Sequence, residues 1–170
     1  MIRWAGAALL SATAAWLGLN AAIRLGKRST DLRGMIGGLS AMERAISDRG
    51  ASLQEMLTDG AQVSGGPSGE FFRFCAHGVT RLEGKPFCTL WEISLKGAPL
   101  TLTPVDVQVI EALGSILGRY DVDSQCRALR QALNRLERQL EGAEDEQERM
   151  GKVYGSLGVS AGLLLFLLFL

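Results

Sequence analysis

SQCRALRQALNRLERQLEGAEDEQERMGKVYGSLGVSAGLLLFLLFL, residues 124–170, reads as one helix of changing character. Positions 126, 129, 133, 136, 140, 143, 147, 150, 154 and 157 advance in alternating steps of three and four and carry Cys, Leu, Leu, Leu, Leu, Ala, Gln, Met, Tyr and Leu. That spacing places them on one helix face, strongly apolar over its first half and weaker after it. Because so few heptads are fully apolar, the face is read as buried against the chain's own bundle, with a coiled coil to another subunit as the alternative. The helix starts after an Asp123 cap and is dipolar: Arg127, Arg130, Arg135 and Arg138 precede Glu141, Glu144, Asp145, Glu146 and Glu148. Residues 141–149 are expected to form a solvated stalk. From 153 to 170 no charge occurs, and eighteen residues at about 1.5 Å each span about 27 Å, close to a bilayer's hydrocarbon thickness. A C-terminal transmembrane helix, 151–170, is therefore expected, with no domain beyond it. If continuous with the stripe helix, it makes a rod of about 70 Å.

Residues 4–23 are also free of charge, although Ser11, Thr13 and Asn20 make their insertion less favourable than that of the Leu/Phe-rich tail. A cleaved signal peptide would share Arg3 and the apolar run, but the run exceeds a usual h-region and basic residues follow it. The reading is an N-terminal transmembrane helix, 1–23, giving a two-span hairpin with both termini on one side. Arg24, Lys27, Arg28, Arg33, Arg149 and Lys152 flank the spans on one side, against Arg3 on the other. This asymmetry places 24–152 in the cytoplasm and the chain in the cell membrane. An odd number of cysteines, Cys75, Cys88 and Cys126, agrees with a reducing compartment. Small residues on one helix face, Ala14, Gly18 and Ala22 at steps of four in one span and Gly155, Gly158 and Gly162 at steps of three and four in the other, are candidate packing faces between helices in lipid.

The region between, 24–150, is long enough for one domain with its own core. All charges except Arg3 fall between the spans, seventeen basic and eighteen acidic, a balance that argues against nucleic acid as a partner. Ser29 is a candidate cap for a helix whose stripe is Leu32, Met35, Ile36, Leu39, Met42 and Ile46, with Gly50 as its stop. Ser52 and Glu55 make a capping box for a short helix ending near Gly60, and 63–69, VSGGPSG, reads as a loop. Ser68 then opens a helix through Phe71, Phe72, Phe74 and Cys75. Pro86 starts another through Leu90, Trp91 and Leu95, and Thr103-Pro104 starts one carrying Val109, Ile110, Leu113, Ile116 and Leu117. No strand alternation is convincing, since TLTPV at 101–105 is broken by its proline. The expected fold is an all-α, membrane-anchored bundle of about six helices, flanked by N- and C-terminal transmembrane helices.

Catalytic chemistry is thinly represented. Cys75, His77, Cys88 and Cys126 match none of the paired-ligand spacings of metal sites, and no cofactor or metal is expected. With a single histidine and no Walker A, Gly-x-Ser-x-Gly or HExxH sequence, the chain is not expected to be an enzyme. Carboxylates such as Glu43 and Asp48 read as helix-surface charge. Candidate partner contacts are the exposed charges of the last helix: Arg127, Arg130, Arg135 and Arg138, and Glu144, Asp145, Glu146 and Glu148.

Three blocks in order, DLRGMIGGLSAMERAISDRGASLQEML (31–57), VIEALGSILGRYDVDSQCRAL (109–129) and ERMGKVYGSLGVSAGLLLFLLFL (148–170), resemble the stage III sporulation protein AB family of endospore-forming bacteria. The closing block is the most specific, through Lys152, Tyr154, Ser156, Leu157 and Gly158. The resemblance implies a non-enzymatic part of the transport channel between mother cell and forespore, on the mother-cell side of the outer forespore membrane. It also implies a domain similar to the cytoplasmic bundles of platform protein F in type II secretion and type IV pilus systems. The implied partners are membrane lipid, a secretion-type ATPase (stage III sporulation protein AA) and ring-forming channel proteins of the same operon, with a homo-oligomer as a further option. A generic two-span adaptor with a cytoplasmic helical partner-binding domain is the alternative.

Overall fold

The computed structural model describes residues 2–82 and 84–169, with side chains described for 26–82, 84–150 and 153. Six helices account for the regular structure of the described residues: α1 (Ile2–Arg49), α2 (Leu53–Val63), α3 (Gly66–Val79), α4 (Phe87–Gly97), α5 (Pro104–Gly114) and α6 (Val122–Phe169). Among the described residues there is no strand. The chain divides into two compact units, Arg28–Glu141, and Met1–Lys27 with Gly142–Leu170.

The helix ends follow local chemistry, with several departures from the sequence expectation. Ser29 is not a cap: α1 continues through it, and Ser29 is buried in mid-helix. No proline interrupts residues 24–30, and Lys27 and Arg28 are straight-chain helix formers, so nothing local ends the helix there. The loop expected at 63–69 shrinks to Ser64 and Gly65, because Pro67 sits in the first turn of α3, where its missing N–H costs no hydrogen bond. Ser68 accordingly lies inside α3, and its buried hydroxyl donates to the Asp31 carbonyl at 3.0 Å. Pro86 is the N-cap of α4 and not its first helical residue. At α6 the cap is Asp121, whose carboxylate accepts the Ser124 N–H at 3.0 Å, two residues before the expected Asp123.

Elsewhere the helix starts are as read, but α5 stops at Gly114, so Ile116 and Leu117, expected on it, lie in the turn that follows. Gly50 ends α1 with φ +60°, and its N–H donates to the Ile46 carbonyl at 3.0 Å. Ser52 and Glu55 form the capping box of α2, which runs on to Val63. Thr103 and Asp106 form a second box at α5. Replacing Ser52 with alanine is expected to cost about 1 kcal/mol in the urea unfolding of the chain, with no change in helix content at low denaturant.

The core of the Arg28–Glu141 unit joins the α1 stripe (Leu32, Met35, Leu39, Met42 and Ile46, all buried) to Phe71, Phe72 and Cys75 of α3. Ile36, expected in that stripe, is only half-buried, and Phe74 faces solvent. Trp91 of α4 is fully buried, packs edge-on against Phe71 with centroids 4.7 Å apart, and donates its indole N–H to the Ile110 carbonyl at 2.8 Å. Ile110, Leu113 and Leu117 come from α5 and the turn after it. From α6, Cys126, Leu129 and Leu136 of the stripe are buried, with Ala132 beside them, whereas Leu133 and Leu140 are half-buried, so the chain covers the first half of the stripe in part. Glycines set the closest approach: a Cβ on Gly34 would lie 2.7 Å from the Ser68 hydroxyl oxygen, and one on Gly38 would overlap the Phe72 ring and the Ser64 hydroxyl.

The apolar residues 4–23 lie within α1 and 153–169 within α6. Apart from Val153, their side chains, including those of the expected packing residues Ala14, Gly18, Ala22, Gly155, Gly158 and Gly162, lie outside the described residues. Among the described residues, no helix is long and apolar enough to cross a membrane.

Candidate functional site

The most deeply buried carboxylate among the described residues is on α5. Asp106 sits at the third position of the helix, where its carboxylate accepts the Thr103 N–H at 2.8 Å, and it is fully buried. The same carboxylate accepts two bonds from the Arg28 guanidinium, Nε at 2.9 Å and Nη2 at 3.1 Å. Arg28 Nη2 also reaches the Gln139 side-chain oxygen at 3.4 Å, so α1, α5 and α6 meet at one polar node. Burial pushes the Asp106 carboxyl up, but Arg28 and the Thr103 N–H and hydroxyl outweigh it and hold the group below the ordinary carboxylate range. A fixed fork on a dry carboxylate is a structural clamp with no open face for substrate.

A second tie comes from Asp31, which is buried and accepts the Thr101 N–H at 2.7 Å, fastening the α4–α5 connection to α1. Gln125 does the same at the other end: its amide oxygen accepts the Gly118 N–H at 3.1 Å and its amide N–H donates to the Tyr120 carbonyl at 2.6 Å. None of these residues was singled out as functional from sequence. The Thr103-x-x-Asp106 spacing is a capping pattern, which accounts for the helix start and not for the pair with Arg28.

The predicted partner arginines fall into two pairs. Arg130 donates to Glu43 of α1, with Nε and Nη2 each 2.7 Å from the same oxygen, and Arg127 donates to the Ser124 hydroxyl at 2.9 Å. Arg135 and Arg138 instead line a groove of about 330 Å³ with Gln139 of α6 and Val105, Gln108, Val109 and Ala112 of α5. Asp145, Glu146 and Glu148 are exposed and Glu144 is half-buried, all within the part of α6 that belongs to the other unit.

The thiols are separate from one another in role and setting. Burial pushes Cys75 up to about 12, only partly offset by the Ser94 hydroxyl, and burial beside the Glu43 carboxylate also raises Cys126. A thiol raised this far is a poor nucleophile at neutral pH. His77 is exposed on α3, and among the described residues no three His, Cys, Asp or Glu side chains converge as a metal site would need.

The family sequence model described as stage III sporulation protein AB matches residues 3–170. The chain belongs to the stage III sporulation protein AB family. Stage III sporulation protein AB of Bacillus subtilis (strain 168) is 28% identical over 170 residues, covering 99% of each chain. A solved structure of a stage III sporulation protein AB aligns with a TM-score of 0.65 at 25% identity, covering 72% of this chain and 98% of that one. The sporulation family and its helical architecture are thus shared, and the blocks at 31–57, 109–129 and 148–170 fall inside the matched range.

Proposed function

We propose that this family member is a non-enzymatic platform component of the transport complex between mother cell and forespore. In this reading, spans at 1–23 and 151–170 hold it in the cell membrane, and 24–150 is a cytoplasmic bundle. A secretion-type ATPase resembling stage III sporulation protein AA acts on that bundle, which passes the input to membrane rings. The observation that carries the reading is α6, a single helix that supplies Leu129 and Leu136 to the bundle core and continues into the uncharged run after residue 152. A helix shared by core and anchor transmits displacement, because packed elements shift as units. The clamp at Asp106 supports the same role, since it fastens α5 to both α1 and α6.

The acidic set Glu144, Asp145, Glu146 and Glu148 and the glycines Gly158 and Gly162 are the residues to test. Reversing the four carboxylates to lysine is expected to abolish capture of the ATPase by the membrane-embedded chain and to reduce spore formation. Replacing both glycines with isoleucine is expected to prevent assembly while leaving the bundle folded. Wild-type ATPase capture and spore counts in the lysine variant would reject this surface.

A further inference from the structure

The groove between α5 and α6 combines two features that the protein does not use internally. Its floor is aliphatic: Val105, Val109 and Ala112 lie at helical spacing on one face of α5, and Val105 is 53% exposed. Its α6 wall carries Arg135 and Arg138, both exposed. Arg130 and Arg127 are occupied by Glu43 and Ser124, whereas among the described residues no ion pair or hydrogen bond engages Arg135 or Arg138. Residues 131 and 139, four positions either side of Arg135, are both glutamine, so no carboxylate is supplied by the adjacent turns of its own helix. No acidic side chain lines the groove.

We propose that this groove is the docking site for an acidic amphipathic helix of a partner protein, with aliphatic side chains on Val105, Val109 and Ala112 and carboxylates paired to Arg135 and Arg138. Charge complementarity selects the occupant: guanidiniums on a rim favour carboxylates presented in pairs, and an aliphatic floor between two helices accepts a third helix by ridge-and-groove packing. Gln108 supplies a neutral hydrogen-bonding group at the edge, whereas the Gln139 oxygen is already held by Arg28. The proposal deepens the platform reading by naming the chemistry of the surface the partner meets, and it moves the basic contact away from Arg127 and Arg130.

The test uses the full chain in phosphatidylcholine nanodiscs and a fluorescent helical peptide in which Glu residues flank a Leu/Ala stripe at i, i+3 and i+4. The peptide is expected to bind saturably, and binding is expected to weaken as ionic strength rises from about 0.05 to about 0.5 M. The Arg135→Glu/Arg138→Glu chain is expected to bind roughly tenfold more weakly or worse, with Arg127→Glu unchanged. Val109→Glu is expected to weaken binding too, which a purely electrostatic patch would not require. Equal binding by the Arg135→Glu/Arg138→Glu chain overturns the proposal, as does equal binding of a peptide with the same composition in scrambled order. Binding of anionic phosphatidylglycerol vesicles through the same arginines, with no binding of the peptide, overturns it in favour of a lipid surface. The peptide arm does not involve the ATPase. A chain that binds the peptide but does not capture the ATPase therefore leaves the groove and rejects the platform reading. An ATPase captured equally by wild-type and Arg135→Glu/Arg138→Glu chains rejects the groove and leaves the platform.

Discussion

Gly38→Val is expected to destabilise the domain by about 3 kcal/mol, a large share of the 5–15 kcal/mol that typically holds a domain together. Two effects oppose each other at this position. Glycine in a helix interior is unfavourable, and replacing it with alanine gains up to about 1 kcal/mol of intrinsic helix stability, with valine gaining less. Against that, a Cβ on Gly38 falls within the Phe72 ring and against the Ser64 hydroxyl, and Gly60 of α2 approaches the Gly38 carbonyl so closely that its own added Cβ would stand 3.2 Å away. Phe72 is fully buried, so its ring cannot swing into solvent. The clash therefore outweighs the propensity gain, and α1 must move off α2 and α3. The urea midpoint of the chain in detergent, followed by far-UV circular dichroism, measures the loss. A double-mutant cycle of Gly38→Ala with Phe72→Leu is expected to show favourable coupling of about 1 kcal/mol, because the smaller side chain makes room. Strict additivity would show that the Phe72 ring is not what Gly38 accommodates.

That close approach was open to reading and illustrates what sequence patterns can carry. Gly34 and Gly38 stand four apart in a helix whose intrinsic propensity favours alanine at both sites, which signals a packing reason, as the same spacing does in the apolar end segments. Caps and stripes were legible because each depends on neighbours within a turn or two: Ser52 with Glu55, Thr103 with Pro104, Leu32 through Ile46. The misplaced boundaries share a cause as well. A serine or aspartate before an apolar residue is compatible with a cap, but Ser29 lies in a run that nothing interrupts, and Asp121 competed successfully with Asp123 for the same helix start. What no local pattern contains is the pairing of residues far apart in the chain. Arg28 and Asp106 are 78 positions apart, and Arg130 and Glu43 are 87 apart; in sequence Arg28 reads as a basic residue flanking a span, Arg130 as a partner contact and Glu43 as helix-surface charge, and only folding pairs them. Arg130 is engaged through such a distant partner, whereas Arg127 is engaged locally, by Ser124 one turn earlier on α6.

Removing the Asp106 carboxylate is expected to be more damaging than breaking any ion pair on the surface. Arg130–Glu43 has 62% of the arginine side chain exposed, and such pairs contribute about 0–1 kcal/mol. In the Arg28–Asp106 pair, the arginine side chain is 13% exposed and the aspartate 0%. Asp106→Ala leaves the guanidinium desolvated without its partner and also removes the acceptor of the Thr103 N–H, for an expected loss of about 3–5 kcal/mol. Asp106→Asn keeps the shape and one acceptor oxygen, so its loss is expected to be smaller, and pH separates the charge from the geometry. The carboxyl sits below its ordinary value in the folded protein. The folded state therefore binds fewer protons at this group than the unfolded chain, and the stability it contributes is complete above the unfolded value of about 3.9. It declines as pH falls from there through the lower folded value. Urea midpoints measured from neutral pH downward are expected to show a constant gap between wild type and Asp106→Asn above about pH 5. The gap is then expected to narrow as the wild-type carboxylate becomes protonated. A gap that stays constant into the acid range would mean that the charge on Asp106 contributes nothing, and that its hydrogen bonds alone fasten α5 to α1.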